Sequence, residues 1–386
     1  MKTGVPLPRA LVLAGGGARA AYEVGVLAAI AERAPGLEFP IVTGVSAGAI
    51  NAVYLAAHPG PLATAVGALR AQWSRLVVER VYRIRAGRLA RGLLLGTAHT
   101  ALGRGGAAAA VHGLVDMSPL REFLGANIDF TQLAANIAAR RLRAAALSTT
   151  SYATGETVTF VHGPPDVPTW RRALRYAVAT PLTLDHVMAS AALPILFPAV
   201  RIGDAFYGDG SVRQTAPLAP AIHLGARAIV VVTQRNDPQQ IHPPAPGPSA
   251  APAYPALAEV IGLLLHAIFL DALEADAERL ERVNRVVTAL PEAQRPDGLR
   301  PVRLLMLRPS RDLGALAAGC GVKLPPLVRW LVRGMGGQRA TAVDFLSYLL
   351  FDPAYTNALI ELGYDDVRAQ WPRIERFLVA TDAGEP

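Results

Sequence analysis

The sequence predicts an α/β fold in three layers, with a mostly parallel central sheet between two layers of helices. Two consecutive strand-turn-helix units near the start indicate this. In the first unit, the apolar run 10–14 precedes three glycines and a helical pattern over 20–33. In the second unit, residues 41–43 precede a glycine-bounded turn and a helical pattern over 49–57. Repetition of strand, turn and helix is typical of a parallel sheet with helices on both faces.

Later parts of the chain predict more strands and a C-terminal extension. Apolar runs that fit strands occur at residues 143–149, 158–161, 205–207, 228–233 and 302–307. Residues 257–287 have the pattern of one long amphipathic helix. We therefore expect a main domain over 8–235, a Pro-rich connection over 236–256 and a mostly helical extension over 257–386. The extension either forms a separate unit or completes the main sheet.

The composition narrows the class of protein. A chain of 386 residues with 52% hydrophobic and 18% charged residues has the material for a large folded core, which argues against disorder. The net charge is +8, but lysine occurs only twice and arginine carries the rest in a chain rich in Ala, Gly and Pro. We therefore do not predict nucleic acid as a partner. The single cysteine, Cys320, allows no internal disulfide, and no Cys/His spacing suits a metal, so neither metal nor cofactor is predicted.

The apolar runs of the sequence indicate where in the cell the protein is expected. Three glycines interrupt the apolar run near the N-terminus, which is unlike the continuous apolar region of a signal peptide. The most apolar later run, 260–270, is too short for a transmembrane helix. We expect a cytoplasmic protein that contacts membranes, if at all, peripherally. The sequence leaves the oligomeric state open.

The strongest chemical signal is the Gly-x-Ser-x-Gly pattern of Gly44, Ser46 and Gly48, between a predicted strand and a predicted helix. In that setting the serine occupies a sharp turn, and small neighbours let the backbone bend while the hydroxyl stays accessible. The dipole of the following helix favours developing negative charge. The pattern therefore indicates Ser46 as a candidate nucleophile.

A second turn carries consecutive glycines, Gly15, Gly16 and Gly17, followed after one residue by Arg19. Several backbone N–H groups can converge at such a turn and bind a phosphate or the oxyanion of a tetrahedral intermediate. A dinucleotide fingerprint ending at Ala20 is an alternative, but the next strand runs into the serine turn rather than into the acidic residue that this fingerprint requires. A tight turn without a ligand is the other alternative.

A serine hydroxyl needs a base to remove its proton. Asp209, which is followed by Gly210 after the predicted strand 205–207, is one candidate. His223 is another, because it would give the chain order Ser, Asp, His of a catalytic triad. An Asp-Gly pair alone is usually a turn.

Together with residues 189–198 (ASAALPILFP), these three motifs resemble the patatin-like phospholipase family over about residues 8–235. The resemblance implies a patatin-like form of the α/β/α fold and a catalytic dyad of Ser46 and Asp209 without histidine. It also implies the roles of the glycine-rich turns: an oxyanion hole at Gly15, Gly16 and Gly17 beside Arg19, a nucleophile elbow bounded by Gly44 and Gly48, and an Asp-Gly motif completed by Gly210. This chain departs from the family pattern at Ala20 and at Ser211, whose hydroxyl can lower the basicity of Asp209.

These features predict a serine lipid acyl hydrolase of phospholipase, lysophospholipase or esterase type that acts through an acyl-enzyme. Its substrate would be a lipid or phospholipid. Arginines at 80, 83, 85, 88 and 91 precede a leucine run and suit contact with an anionic membrane, while the Gly/Ala-rich segment 103–110 suits a lid. Two alternatives stay open: a triad esterase or thioesterase that uses His223, and a non-catalytic lipid-binding regulatory protein.

Overall fold

The computed structural model describes residues 8–84, 115–236, 271–296, 299–320 and 347–379. Twelve strands occur in this part of the chain: β1 Arg9–Leu13, β2 Ile41–Val45, β3 Arg83–Ile84, β4 Val115–Asp116, β5 Ala144–Ser151, β6 Thr157–His162, β7 Arg171–Arg172, β8 Arg175–Ala179, β9 Val200–Ile202, β10 Ala205–Asp209, β11 Ala228–Val232 and β12 Arg303–Leu307. The α-helices described there are α1 Ala21–Arg33, α2 Ala47–Ala56, α3 Leu62–Trp73, α4 Val78–Val81, α5 Ser118–Asn127, α6 Phe130–Ala138, α7 Leu184–Ser190, α8 Ala219–His223, α9 Ala272–Ala289, α10 Leu313–Gly319, α11 Pro353–Ala369 and α12 Trp371–Val379.

Ten of these strands form one central sheet in the order β12-β11-β1-β2-β5-β6-β8-β7, with β10 paired to β5 and β9 paired to β10. The five strands from β12 to β5 all pair in parallel. Antiparallel pairing begins where β5 meets β6 and β10. The predicted mostly parallel sheet is therefore confirmed.

Helices cover both faces of the sheet. Along β1, Leu11 and Leu13 belong to the core on one face, together with α1, α2, α3 and α11. Ala10 and Val12 belong to the core on the other face, together with α8 and α9. This alternation buries the strand on both sides, which is why β1 reads as a continuous apolar run. The arrangement confirms the predicted α/β/α sandwich.

The C-terminal extension is built into this fold. Strand β12 lies at the sheet edge beside β11, with Arg303 opposite Ala228. Helix α11 packs closely on α1, where a Cβ on Gly25 would lie 1.9 Å from the carbonyl oxygen of Ile360. Asp352 caps the start of α11 by accepting a hydrogen bond from the Ala354 N–H. The described part of the extension thus contributes the edge strand β12 to the main sheet.

Several predicted features fall outside the described residues. They are most of the Pro-rich connection, the first part of the long helix predicted from residue 257, the predicted lid at 103–110, and the arginines at 85, 88 and 91. The described part of the long helix is α9. None of the helices in the described ranges has the length and apolar character needed to cross a membrane.

Candidate functional site

Ser46 occupies a strained turn between β2 and α2. Its φ of 55° and ψ of −133° are rare for a residue with a side chain. Two hydrogen bonds connect the turn with β5: the Ser46 N–H donates to Ser190 Oγ at 3.1 Å, and Ser190 Oγ donates to the carbonyl oxygen of Ser148 at 2.7 Å. Gly48 lets α2 approach β1, since a Cβ there would lie 2.3 Å from the carbonyl oxygen of Leu13. A strained turn of this kind between a strand and a helix is what the predicted nucleophile elbow requires.

Asp209 ends β10 beside β5 and is completely buried. Its Oδ1 accepts a hydrogen bond from the Ser211 N–H at 2.9 Å. Its Oδ2 is also buried and has no hydrogen-bond partner within the described residues. The following Gly210 has no room for a side chain, because a Cβ would lie 2.3 Å from the carbonyl oxygen of Ser148. The carboxyl group therefore keeps one acceptor atom open.

Burial raises the pKa of Asp209 from 3.8 to about 6, because an ionised carboxylate is poorly solvated there. The hydroxyl groups of Ser46 and Ser211 act in the opposite direction and lower this pKa. Neither hydroxyl forms a hydrogen bond of good geometry with Oδ2, and Ser211 Oγ has no partner in the described part of the chain. Hydrogen bonds of this kind are often long before substrate binds. Ser46 and Asp209, far apart in sequence, are thus brought together as neighbours.

The glycine turn lies directly against Ser46. A Cβ on Gly15 would lie 2.9 Å from Ser46 Cβ, and the three glycines have φ values of 75°, 130° and 59°. The N–H groups of Gly16 and Gly17 donate no hydrogen bond within the described residues. Gly15 differs from the prediction, because its N–H donates to Glu23 Oε1 at 3.0 Å. Gly15 therefore shapes the turn but has no free donor to offer an oxyanion.

The Arg19 side chain contacts the C-terminal extension. Its Nε donates to Ser347 Oγ at 2.7 Å, and its guanidinium lies 4.0 Å from the centre of the Tyr348 ring. The Ala18 N–H donates to the carbonyl oxygen of Tyr348 at 2.9 Å. A Cβ on Gly17 would lie only 2.0 Å from that oxygen. The glycine turn therefore packs against residues 347–348, and the Arg19 side chain contacts the same two residues.

A buried polar network supports the same turn. Glu23, on α1, is fully buried and accepts hydrogen bonds from the Gly15 N–H, from Asn51 Nδ2 at 2.8 Å and from Gln234 Nε2 at 2.9 Å. Burial raises the pKa of Glu23 to about 7, although these three donors lower it. Asn51 Oδ1 in turn accepts from Trp73 Nε1 at 2.8 Å. Glu23 thus connects the glycine turn with α2, the helix that begins at the elbow.

An apolar cavity opens beside Ser46. Its walls come from helices α2, α3 and α5, from the loop after α7, and from the extension. The residues include Ile50, Tyr54, Leu69, Trp73, Leu76, Met117, Leu120, Leu124, Leu193, Phe197, Tyr348, Leu349 and Phe351. The rings of Trp73 and Phe351 stack with centres 6.3 Å apart. The cavity has the character of a site for a hydrocarbon chain.

His223 lies far from this site. It ends α8, five residues before β11, and its ring stacks on Trp170 with centres 4.7 Å apart. The neighbouring Gly225 is close to Arg143, which precedes β5, so His223 lies at the amino end of the parallel strands. Ser46 follows the carboxyl end of β2, and a five-residue strand rises about 15 Å. Burial and the nearby Arg172 and Arg175 lower the pKa of His223.

Other histidines do not fill the role of base in the described residues. His58, His162 and His186 make hydrogen bonds with residues other than Ser46 and Asp209. The remaining histidines, at 99, 112, 242 and 266, lie outside the described residues. No group of three or more His, Cys, Asp and Glu side chains in the described ranges could hold a metal ion.

The sequence did not predict a supporting role for five residues, although one of them, Ser190, lies in the segment 189–198: Glu23, Asn51, Ser190, Gln234 and Tyr348. Glu23 had a detectable signal, because it is the only charged residue in the first ten positions of an otherwise apolar helix. A carboxylate in such a position is rarely buried without partners. The others carry no comparable local signal.

Comparison with protein families gives one match. A family model described as patatin-like phospholipase matches residues 11–222, which is more than half of the chain. The matched range includes the glycine turn, the elbow and Asp209, and it ends before β11. No curated protein sequence matches the chain.

Solved structures give distant likenesses. VipD from Legionella pneumophila is 12% identical with a TM-score of 0.36, over 96% of this chain and 68% of VipD. Human GIVD cytosolic phospholipase A2, in complex with methyl γ-linolenyl fluorophosphonate, is 14% identical with a TM-score of 0.43. This chain spans 58% of the human protein's length, with 97% of its own residues covered. ExoU in complex with SpcU from Pseudomonas aeruginosa is 16% identical, with a TM-score of 0.28 over 96% of this chain and 77% of the other. All three TM-scores are low.

Proposed function

Because the chain belongs to the patatin-like phospholipase family and is therefore a lipid-hydrolysing enzyme, we propose that it cleaves carboxylic esters of lipids through Ser46 and Asp209. One observation carries this proposal. A serine on a strained elbow neighbours a buried carboxylate that has one open oxygen, and both lie beside an apolar cavity. Nucleophile, base and acyl site are the parts that acyl transfer requires.

The first step forms an acyl-enzyme. Asp209 Oδ2 accepts the proton of Ser46 Oγ while Oγ attacks the ester carbonyl carbon. Asp209 then returns the proton to the alcohol that leaves, and the acyl group stays on Ser46. In the second step Asp209 takes a proton from water, which attacks the carbonyl carbon of the acyl-enzyme. Asp209 then returns this proton to Ser46 Oγ as the bond to the acyl group breaks, which releases the fatty acid and restores the enzyme. The raised pKa of Asp209 supports this role, since a base is most effective when its pKa approaches the working pH.

The oxyanion of each tetrahedral intermediate would bind at the glycine turn. The N–H groups of Gly16 and Gly17 are the candidate donors, because they are not used elsewhere in the described residues. Fixed backbone donors stabilise developing charge without reorganising during the reaction. The acyl chain would lie in the apolar cavity, with the ester at Ser46. This assignment replaces Gly15 in the predicted oxyanion hole by its two neighbours.

We further propose peripheral contact with a lipid surface near the cavity. Ile195, between the cavity residues Leu193 and Phe197, is 76% exposed and has a φ of 72°, a strained value for a β-branched residue. Asn or Gly would adopt this positive φ at a lower energetic cost than Ile. An exposed apolar tip beside an acyl site suits insertion into a lipid layer. Of the predicted arginine stretch, only Arg80 and Arg83 lie in the described part of the chain.

The test of the catalytic proposal compares four proteins on a short-chain p-nitrophenyl ester and on a phospholipid. Wild type and His223→Ala should be active, whereas Ser46→Ala and Asp209→Asn should lose turnover with unchanged circular dichroism. Equal loss in His223→Ala would favour a triad esterase instead. An inactive wild type that still binds lipid would favour a non-catalytic lipid-binding protein.

The membrane proposal has a matched control. Leu174, between β7 and β8, is also exposed, at 61%, and has a φ of 60°. Ile195→Asp should reduce hydrolysis of phosphatidylglycerol-containing vesicles while hydrolysis of the soluble ester is unchanged. Leu174→Asp should change neither rate. Equal effects of the two variants on vesicles would contradict a specific contact at Ile195.

A further inference from the structure

The fully buried Glu23 is not needed for any chemical step of the proposed reaction, although it lies one hydrogen bond from the glycine turn. We propose that Glu23 is a positioning residue, which fixes the glycine turn relative to the elbow so that the Gly16 and Gly17 N–H groups face the oxyanion. This inference rests on the proposed function. It assigns to Glu23 a part in catalysis without contact with the substrate.

The hydrogen bonds of Glu23 have the arrangement that such a role requires. Oε1 accepts from the first residue of the turn, Gly15, and from Gln234 Nε2, which follows β11. Oε2 accepts from Asn51, on the helix that begins after Ser46. One carboxylate on α1 therefore fixes the distance between the turn and the serine helix. All three partners are donors, which matches the acceptor-only character of an ionised carboxylate.

The glycine turn has little rigidity of its own. Three successive residues with positive φ are glycines, which have more accessible backbone conformations than any other residue. Their order must come from the surroundings: Tyr348 accepts a hydrogen bond from Ala18 at one end of the turn, and Glu23 accepts one from Gly15 at the other end. Oxyanion donors act only within a narrow range of distance, so a displaced turn loses rate without losing substrate affinity.

The Glu23→Gln substitution selectively removes one hydrogen bond, the one that Asn51 Nδ2 donates to Oε2. The amide oxygen can still accept from Gly15, but its NH₂ group would face Asn51 Nδ2. The Asn51 amide cannot rotate to exchange its oxygen and nitrogen without losing hydrogen bonds, because Nδ2 also donates to the carbonyl oxygen of Ala20 and Oδ1 accepts from Trp73. Glu23→Leu removes every acceptor and leaves the Gly15 N–H buried without a partner.

On the soluble ester, we expect kcat to fall about tenfold in Glu23→Gln and about a hundredfold in Glu23→Leu, with KM within about twofold of wild type. Asp366→Asn is the matched control. Asp366 is another buried carboxylate against α1, and it accepts from Tyr22 Oη at 3.0 Å and from the Ser310 N–H. It lies outside the turn network, so its variant should lower the melting temperature but leave kcat unchanged.

The controls separate this inference from the proposed function. An inactive wild type, or a fully active Ser46→Ala, would refute the proposed function itself. With those two as expected, a Glu23→Gln kcat within about twofold of wild type would overturn the positioning role, even if Glu23→Leu does not fold. An equal fall of kcat in Asp366→Asn would also overturn it, because the loss would then reflect general destabilisation.

Discussion

Replacing Asp209 by asparagine measures how strongly burial controls the candidate base. Asparagine keeps the shape of the side chain, and its Oδ1 can still accept from the Ser211 N–H. It removes the ionisation of a group whose pKa is raised from 3.8 to about 6 in the folded protein. The variant should lose turnover and, above pH 6, gain stability relative to wild type.

The magnitude follows from the pKa difference between the two states. About two pKa units at about 1.4 kcal/mol each correspond to about 3 kcal/mol. Because the folded pKa is the higher one, this stability is fully present in wild type below pH 3.8 and is lost as the pH rises through 6. Between pH 4 and pH 8 the advantage of Asp209→Asn should therefore grow by about 2.5 kcal/mol. For a chain of 386 residues this is a shift in melting temperature of about 3 °C.

The assay is urea unfolding of both proteins at pH 4 and pH 8. The quantity to compare is the change, between the two pH values, in the difference of unfolding free energy. Any effect of the amide on packing is the same at pH 4 and pH 8, and Glu23 titrates in both proteins. Neither therefore contributes to the change in this difference between the two pH values. Ser190→Ala removes a buried polar group that does not titrate, so its effect should be the same at both pH values. A pH-independent difference for Asp209→Asn would refute a raised pKa at Asp209.

Three further outcomes are expected. The kcat/KM of wild type should fall about tenfold per pH unit below pH 6, because Asp209 must be ionised to accept the Ser46 proton; a pH–rate profile on the soluble ester measures this. Ser211→Ala should move this acid limb to higher pH, since the Ser211 hydroxyl lowers the pKa of Asp209, and an unmoved limb would contradict this effect of the hydroxyl. Phe351→Ala should raise KM for long-chain esters by about tenfold, a loss of about 1.4 kcal/mol of apolar contact, with little effect on an acetyl ester.

Local patterns predicted the strands and motifs because each depends on neighbours in the chain. The strand expected at 41–43 is β2, Ile41–Val45, and the one expected at 302–307 is β12, Arg303–Leu307. The family resemblance is confirmed by the match over 11–222. The roles of Ser46 and Asp209 stay predictions until the substitutions are tested.

Contacts between distant parts of the chain could not be predicted in this way. Arg19 and Ser347 are separated by 328 positions, yet their side chains form a hydrogen bond. Gln234 and Glu23 are separated by 211 positions. No periodicity records such a pair, because each partner only has to be polar and buried in the final fold. For the same reason, the commitment of the Gly15 N–H to Glu23 was invisible in the run of three glycines.

The two buried carboxyl groups explain why a raised pKa alone does not identify a base. Burial raises the pKa of both Glu23 and Asp209 into the range useful for acid–base chemistry. Oε1 of Glu23 already accepts two hydrogen bonds and Oε2 accepts one, so both oxygens are less open to an incoming proton than an oxygen without a donor. Asp209 Oδ2 has no such donor in the described residues and neighbours the Ser46 hydroxyl. This difference in open acceptor atoms is why we propose proton transfer for Asp209 and a positioning role for Glu23.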